Sequence, residues 1–185
     1  GVGYVGSLHA SIYATLPGAR LVAVCDTDSR RATAAARAHG CRAFTDARQL
    51  AGLVDAASVC VPTQTHYAVG RRLLDAGVHL LIEKPIATNL READALLRVA
   101  RRKRLVLQVG HVERFNAAIR TATAHLTHPR FIEAHRLSPY PFRGTDVSVV
   151  LDVMIHDLDL VLALVGHRPT RIEAMGVAVL SRSED

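Results

Sequence analysis

The run Val78-His79-Leu80-Leu81-Ile82, closed by Glu83-Lys84-Pro85, constrains this chain more than any other stretch. Near-continuous apolar residues with no in/out alternation describe a parallel strand covered by helices on both faces. Polar groups appear only at its carboxyl end, where open α/β sheets place ligands. Lys84 is one of two lysines in a chain with 23 basic residues, and lysine is the cation whose charge burial changes most readily. A strand-end lysine that simply reaches solvent is the competing reading.

Similar runs recur along the first 110 residues: Leu21–Cys25, a short one at Arg42-Ala43-Phe44, Ala57–Val61 and Leu105–Val109. Helix signals fill the intervals. Ser7 to Thr15 ends at Pro17-Gly18, and Ser29 to His39 stops at Gly40, a left-handed cap. Asp46 to Leu53 reads as a further helix. Thr63 is a candidate N-cap for a helix ending at Gly77. Asn89 and Glu92 have capping-box spacing and begin a helix running to Arg104. Strand–helix repeats of this length specify a doubly wound parallel (Rossmann) sheet of the α/β class.

Gly1-Val2-Gly3-Tyr4-Val5-Gly6 matches G-x-G-x-x-G, whose glycines let backbone approach a pyrophosphate and let the next helix pack close to the sheet. The motif alone is weak, since a strand should precede it and the sequence shows none. Asp26 strengthens it. It ends the run Leu21–Cys25, 20 residues after Gly6, where an acid accepts a ribose diol and repels a 2′-phosphate. NAD is therefore favoured, with Arg30 and Arg31 keeping NADP open as the less favoured cofactor. His66, after Pro62-Thr63, falls in a helix's first turn at the sheet's carboxyl edge. It is either a site residue or a surface histidine.

The pattern changes at Gly110, so residues 1–110 form an expected dinucleotide-binding domain and 111–185 part of an α+β substrate domain. The second part reads as a helix Val112–Leu126, a strand Phe131–Leu137, a loop Ser138–Asp146, a helix Val149–Val165 ended by Gly166, and a strand Arg171–Leu180. In the later helix Asp152, His156 and Asp159 share a face about 60° wide, and Asp157 points elsewhere. Such a stripe must meet water, a partner or a ligand. It could serve a general base oriented by a carboxylate, a structural hydrogen-bonded cluster, or a metal. The absence of cysteine or a second histidine at ligand spacing beside it argues against metal.

Composition removes other classes. The formal charge of +6 comes mainly from scattered arginines, and aromatics are 4% with no tryptophan, leaving little for base stacking. No nucleic-acid partner is expected. The longest apolar stretch, residues 147–165, is broken by Asp152, His156, Asp157 and Asp159, so no membrane span is expected. Cys25, Cys41 and Cys60 lack C-x-x-C spacing, and the chain opens without a signal-peptide pattern. Reduced thiols and a cytoplasmic location are the expectation.

Taken in order, the glycine fingerprint, Asp26, Pro62-Thr63-x-x-His66, Glu83-Lys84-Pro85, Gly110-His111-x-x-Arg114-Phe115-Asn116 and Asp152-x-x-x-His156-Asp157 resemble the Gfo/Idh/MocA oxidoreductases. Val109 to Asn116 and the loop 137–150 look most like the nucleotide-sugar dehydrogenases among them. The resemblance implies hydride transfer between NAD(P) and a secondary hydroxyl of a sugar or nucleotide sugar. Lys84 and His156 would be catalytic, with Asp152 orienting the histidine, and these three would also touch substrate. Gly1, Gly3, Tyr4, Val5, Gly6, Asp26, Pro62, Thr63, His66, Glu83, Lys84 and Gln108 would bind cofactor, while Arg114 and Asn116 would face substrate. It also implies a cis Lys84–Pro85 peptide and a homo-oligomer in a longer chain. That longer chain would have a strand before the fingerprint and more of the second sheet. The present segment alone is expected to fold poorly and to be inactive. A non-catalytic dinucleotide-binding sensor on the same sheet is the alternative. It would not need both Lys84 and His156.

Overall fold

Parallel ladders organise the first part of the computed structural model, which describes residues 1–137 and 148–179. Strand β1 (Ala23–Cys25) pairs with β2 (Arg42–Phe44), and β3 (Ala56–Val59), β4 (His79–Ile82) and β5 (Leu107–Val109) form a second ladder with β4 at its centre. Helices α1 (Tyr4–Thr15), α2 (Ser29–His39), α3 (Thr63–Asp75) and α4 (Leu90–Lys103) alternate with the strands. This is the Rossmann-type α/β order that the apolar runs require. The glycine segment lies between the ends of β1 and β3. The Val2 amide donates to Asp26 Oδ2 at 2.8 Å, and a β-carbon on Gly1 would fall 2.3 Å from the Cys60 carbonyl oxygen. No ladder joins β1 to β3 among the described residues.

Local chemistry explains the helix ends. Asp28 accepts from the Arg30 and Arg31 amides at the start of α2, and Gly40 closes that helix at φ 65°. Asn89 accepts from the Glu92 amide to start α4. Three boundaries differ from expectation. Helix α1 begins at Tyr4, inside the fingerprint. Thr63 is not the cap of α3 but its first residue. Pro62, with φ fixed at −56°, makes the turn and accepts from the Thr65 amide at 2.8 Å. The stretch after Asp46 closes only a 3-10 turn, Ala47–Leu50, because Ala51 at ψ 128° and Gly52 at φ 72° turn the chain out of the helix.

Leu74, Ile82 and Leu96 are fully buried in the first core, with Val59 and Val78 nearly so. Burying each such side chain contributes roughly 1.5–3 kcal/mol. Gly70 permits the contact at the centre. A β-carbon there would lie 2.9 Å from Ile82 Cδ1, so α3 approaches β4 this closely only without a side chain.

The chain divides into two units, Gly1–Gly110 and His111–Asp185. In the second, the expected helix from Val112 is split into a 3-10 turn (Val112–Phe115) and α5 (Ala117–His125). Asn116 breaks it at ψ 129°, then caps α5 by accepting from the Ala118 amide at 3.0 Å. The helix expected from Val149 opens instead as a π turn, Val150–Met154, and continues as α6 (Ile155–Val165), closed by Gly166 at φ 72°. The expected strands at 131–137 and 171–180 are not formed over their described residues, which have no ladder partner. A strand exists only through such a partner. The loop expected from Ser138 to Asp146, residue Leu180 and the tail 181–185 lie outside the described residues.

Candidate active site

The carboxyl ends of β1 and β3 meet the glycine segment, and the end of β4 is joined to α1 through Glu83 and His9. Gly1 and Gly6 are needed there for close approach rather than for left-handed backbone. A β-carbon on Gly6 would lie 2.0 Å from the Gly1 carbonyl oxygen and 3.3 Å from Cys60 Cβ. Gly3 is extended at ψ −160° and immediately precedes α1, whose first turn contains Tyr4, Val5 and Gly6. A helix start reached through glycine backbone is suited to an anion.

Asp26 follows β1 and is 7% exposed. Its Oδ2 takes the Val2 amide and its Oδ1 the Asp28 amide at 2.9 Å. Burial pushes this carboxyl up, but the Asp28 and Val2 amides and the Arg31 guanidinium outweigh it and hold it below the ordinary range. An ionised carboxylate with two bonds made retains lone pairs for a diol. Arg31 lies 3.5 Å from Asp26 and 3.3 Å from Asp28, so two carboxylates already compete for its charge.

At the end of β4, the Lys84–Pro85 peptide is cis. Lys84 is half-buried and Pro85 buried. His66 holds this turn from beneath. One ring nitrogen lies 2.7 Å from the Pro85 carbonyl and the other 2.9 Å from the Val61 carbonyl. At 1% exposure it is not the surface histidine weighed from sequence. Both nitrogens lie against backbone carbonyls, so the ring joins the end of β3 to the Lys84–Pro85 turn. Glu83 accepts from the Lys84 amide at 3.3 Å and lies 3.0 Å from His9 Nε2. Burial raises the Glu83 carboxyl, and His9 then Lys84 more than reverse that, leaving it ionised below its usual range. Gln108 sits exposed in mid-β5, level with Leu81, one residue short of the strand ends that carry the other groups.

The sequence reading missed His9, Ser58 and Tyr13. His9 Nδ1 is 3.0 Å from Ser58 Oγ, which is 2.7 Å from the Tyr13 hydroxyl. A signal existed. A serine inside a buried strand needs a polar partner, and His9 and Tyr13, four apart, share a helix face.

In the second unit, Asp152 lies in the π turn and His156 in the first turn of α6. The uniform 100° step assumed for this stripe therefore does not run through Asp152. π turns inside helices recur at functional sites. Arg114 grips Asp159 with two bonds of 2.6 Å, and Asn116 caps α5. The guanidinium bonds, ahead of burial, hold the Asp159 carboxyl below the ordinary range. Asp157 does point elsewhere, and Arg136 takes it with two bonds of 2.8 Å.

A glycine-lined helix start and an acid closing β1 are the arrangement of a dinucleotide fingerprint. Residues 1–111 match a family model described as the Gfo/Idh/MocA oxidoreductase family, NAD-binding Rossmann fold. The chain belongs to this family. Its relatives include the UDP-N-acetylglucosamine 3-dehydrogenase of Acidithiobacillus ferrooxidans, 43% identical over all of this chain and 59% of the relative. The solved structure of that enzyme superposes with a TM-score of 0.93, covering 100% of this chain and 61% of the other. An inositol 2-dehydrogenase of Rhizobium meliloti is 29% identical over 99% of this chain and 58% of its own length. The chain thus spans about three fifths of the relatives it matches. Among the described residues no helix is long and apolar enough to cross a membrane.

Proposed function

We propose that this family member is an NAD-dependent dehydrogenase of a nucleotide sugar, oxidising the 3-hydroxyl of UDP-N-acetylglucosamine. The observation that carries the reading is the Glu83-Lys84-Pro85 turn, held at the end of β4 by His66 and joined to α1 through Glu83 and His9. The 43% likeness along the whole chain to an enzyme of that name supports the choice of substrate. The residues present fit the cofactor. Glycine at 1 and 6 lets the segment fold tightly against itself and the end of β3, and Asp26 has the charge and lone pairs for a ribose diol. That same charge, with Arg31 shared between two acids, favours NAD over NADP.

When bound, NAD supplies the hydride acceptor. Lys84 donates a hydrogen bond to the reacting hydroxyl and stabilises the negative charge that develops on its oxygen. His156 takes the proton as general base, with Asp152 orienting it. Glu83 and Gln108 are assigned to the nicotinamide half of the site, and Pro62, Thr63 and His66 to its floor. Arg114 contributes by holding α6, which carries His156, through Asp159. Activity belongs to the full-length protein, a cytoplasmic homo-oligomer in this reading.

The test uses full-length protein with NAD, offering UDP-N-acetylglucosamine, other UDP-sugars and inositols while following reduced nicotinamide. UDP-N-acetylglucosamine should be preferred, and Lys84→Ala should cut turnover about 10²–10⁴-fold while NADH still binds. Inositol preferred over every UDP-sugar would overturn the substrate. Undiminished biological activity in a Lys84→Ala/His156→Ala double variant would replace the enzyme with a dinucleotide sensor.

A further inference from the structure

Glu83 is restrained on three sides, and its histidine partner has no part in the chemistry described so far. His9, in the second turn of α1, places Nε2 3.0 Å from Glu83 Oε1. The Lys84 amide lies 3.3 Å from Oε2, and a β-carbon on Gly110 would be 2.8 Å from Oε1. The His9 and Glu83 side chains are each 16% exposed. The ring's other face is also engaged, with Nδ1 3.0 Å from Ser58 Oγ and Ser58 2.7 Å from the Tyr13 hydroxyl. Cys60, just past β3, completes the surroundings.

A metal is the competing occupant, since ligand atoms of His9, Cys60 and Glu83 all lie within 4.8 Å of one another. Two features favour a proton. The Glu83 carboxylate is an acceptor only, which puts a proton on Nε2, and a protonated Nε2 has no lone pair for a metal beside Glu83. The Cys60 sulfur and then the Glu83 carboxylate hold the imidazolium up to about 10 against the opposing effect of burial.

We infer that His9 is a positioning residue: its ring clamps the Glu83 carboxylate to the helix behind the glycine segment and so fixes the Glu83–Lys84 turn where the nicotinamide half of the cofactor binds. The clamp ties the pyrophosphate end of the site to the end that carries Lys84. It rests on the proposed function only in taking the end of β4 as the nicotinamide site. The groups facing the ring are Ser58 and Cys60 from β3 and its end, Glu83 from the end of β4, and Tyr13 from α1 itself. The Lys84 charge also acts on Glu83.

The test measures NADH affinity against pH by fluorescence, using the full-length protein and its His9→Phe and His9→Gln variants. His9→Phe should weaken NADH about tenfold at neutral pH. Without its cation, Glu83 protonates at higher pH, so the acid limb of binding should move up by about one pH unit. His9→Gln restores a donor without the charge, so it should recover part of the affinity and keep the displaced limb. A lower Tm with affinity and acid limb unchanged would overturn the clamp and leave His9 a packing residue. Independently of any cofactor, side-chain 15N NMR of the wild type should show His9 protonated on both nitrogens near pH 8. A neutral ring there, or stoichiometric Zn²⁺ binding abolished by Cys60→Ser, would also overturn it. Because NADH binding is the readout, failure to oxidise UDP-N-acetylglucosamine would sink the proposed substrate and leave the clamp tested.

Discussion

In the first unit Leu74, Ile82 and Leu96 are removed from solvent altogether, whereas no described residue of the second unit is buried, although α6 is almost wholly apolar after Asp159. Composition does not separate them. The first unit covers its central strand: α3 packs on β4 through Gly70, and α4 against the same core. In the second unit the well-defined side-chain contacts are instead charged, Arg114 on Asp159 and Arg136 on Asp157. A helix is stable in a protein mainly through the surface that covers it, and two exposed ion pairs are a weak substitute for a core.

The contrast can be broken by amide exchange on the 185-residue chain. Amides of Val59 and Ile82 should exchange at least about 10²-fold more slowly than those of Leu160 and Leu162. Equal protection would show that the second unit has an interior of its own. Truncations sharpen the point in the full-length protein. Ile82→Ala should cost roughly 2–5 kcal/mol in denaturant unfolding, since it empties a fully buried site. Leu137→Ala, at a side chain 93% exposed, should stay within about 0.5 kcal/mol if that residue is equally exposed there. A loss at Leu137 matching that at Ile82 would mean the longer chain buries it.

Stability against pH provides a third test. His9 is raised from 6.5 to about 10, so its contribution is whole below 6.5 and is lost as pH rises towards 10. Asp26 and Glu83 are depressed, so theirs is present above the ordinary carboxylate range and lost as pH falls through their lowered values. Tm should therefore decline on both sides of a maximum near pH 5–6.5, and His9→Phe should flatten the alkaline side. An alkaline side unaltered by that substitution would remove His9 from the account. A small effect is also expected at Arg114→Ala, about 1 kcal/mol or less, because the guanidinium is half-exposed at 49%.

The same contrast explains what the sequence disclosed. The five strands, the Asp28 and Asn89 caps and the Gly40 stop are written locally, in apolar runs and in side chains that bond backbone within three residues. The Glu83-Lys84-Pro85 turn and Asp26 were legible because strand ends announce themselves by an abrupt change of polarity. His9 left only a faint local trace, its spacing from Tyr13, because its partners Ser58 and Glu83 come from β3 and the end of β4. The burial of His66 was hidden for the same reason, since it depends on the carbonyls of Val61 and Pro85. The strands expected at 131–137 and 171–180 failed differently. Their apolar content is real, but a strand is a property of a pair of segments, and one segment's pattern does not provide its neighbour. The π turn at Val150–Met154 left no mark in hydrophobic periodicity, because one widened turn shifts a stripe without erasing it.

That no ladder joins β1 to β3 among the described residues has a practical consequence for anyone handling this chain. Unpaired amide and carbonyl rows are adhesive, and the cheapest saturation available in a test tube is another molecule's strand. Concentrated samples of the 185-residue chain should therefore associate edge to edge, and an extended peptide supplied in trans should compete with that association.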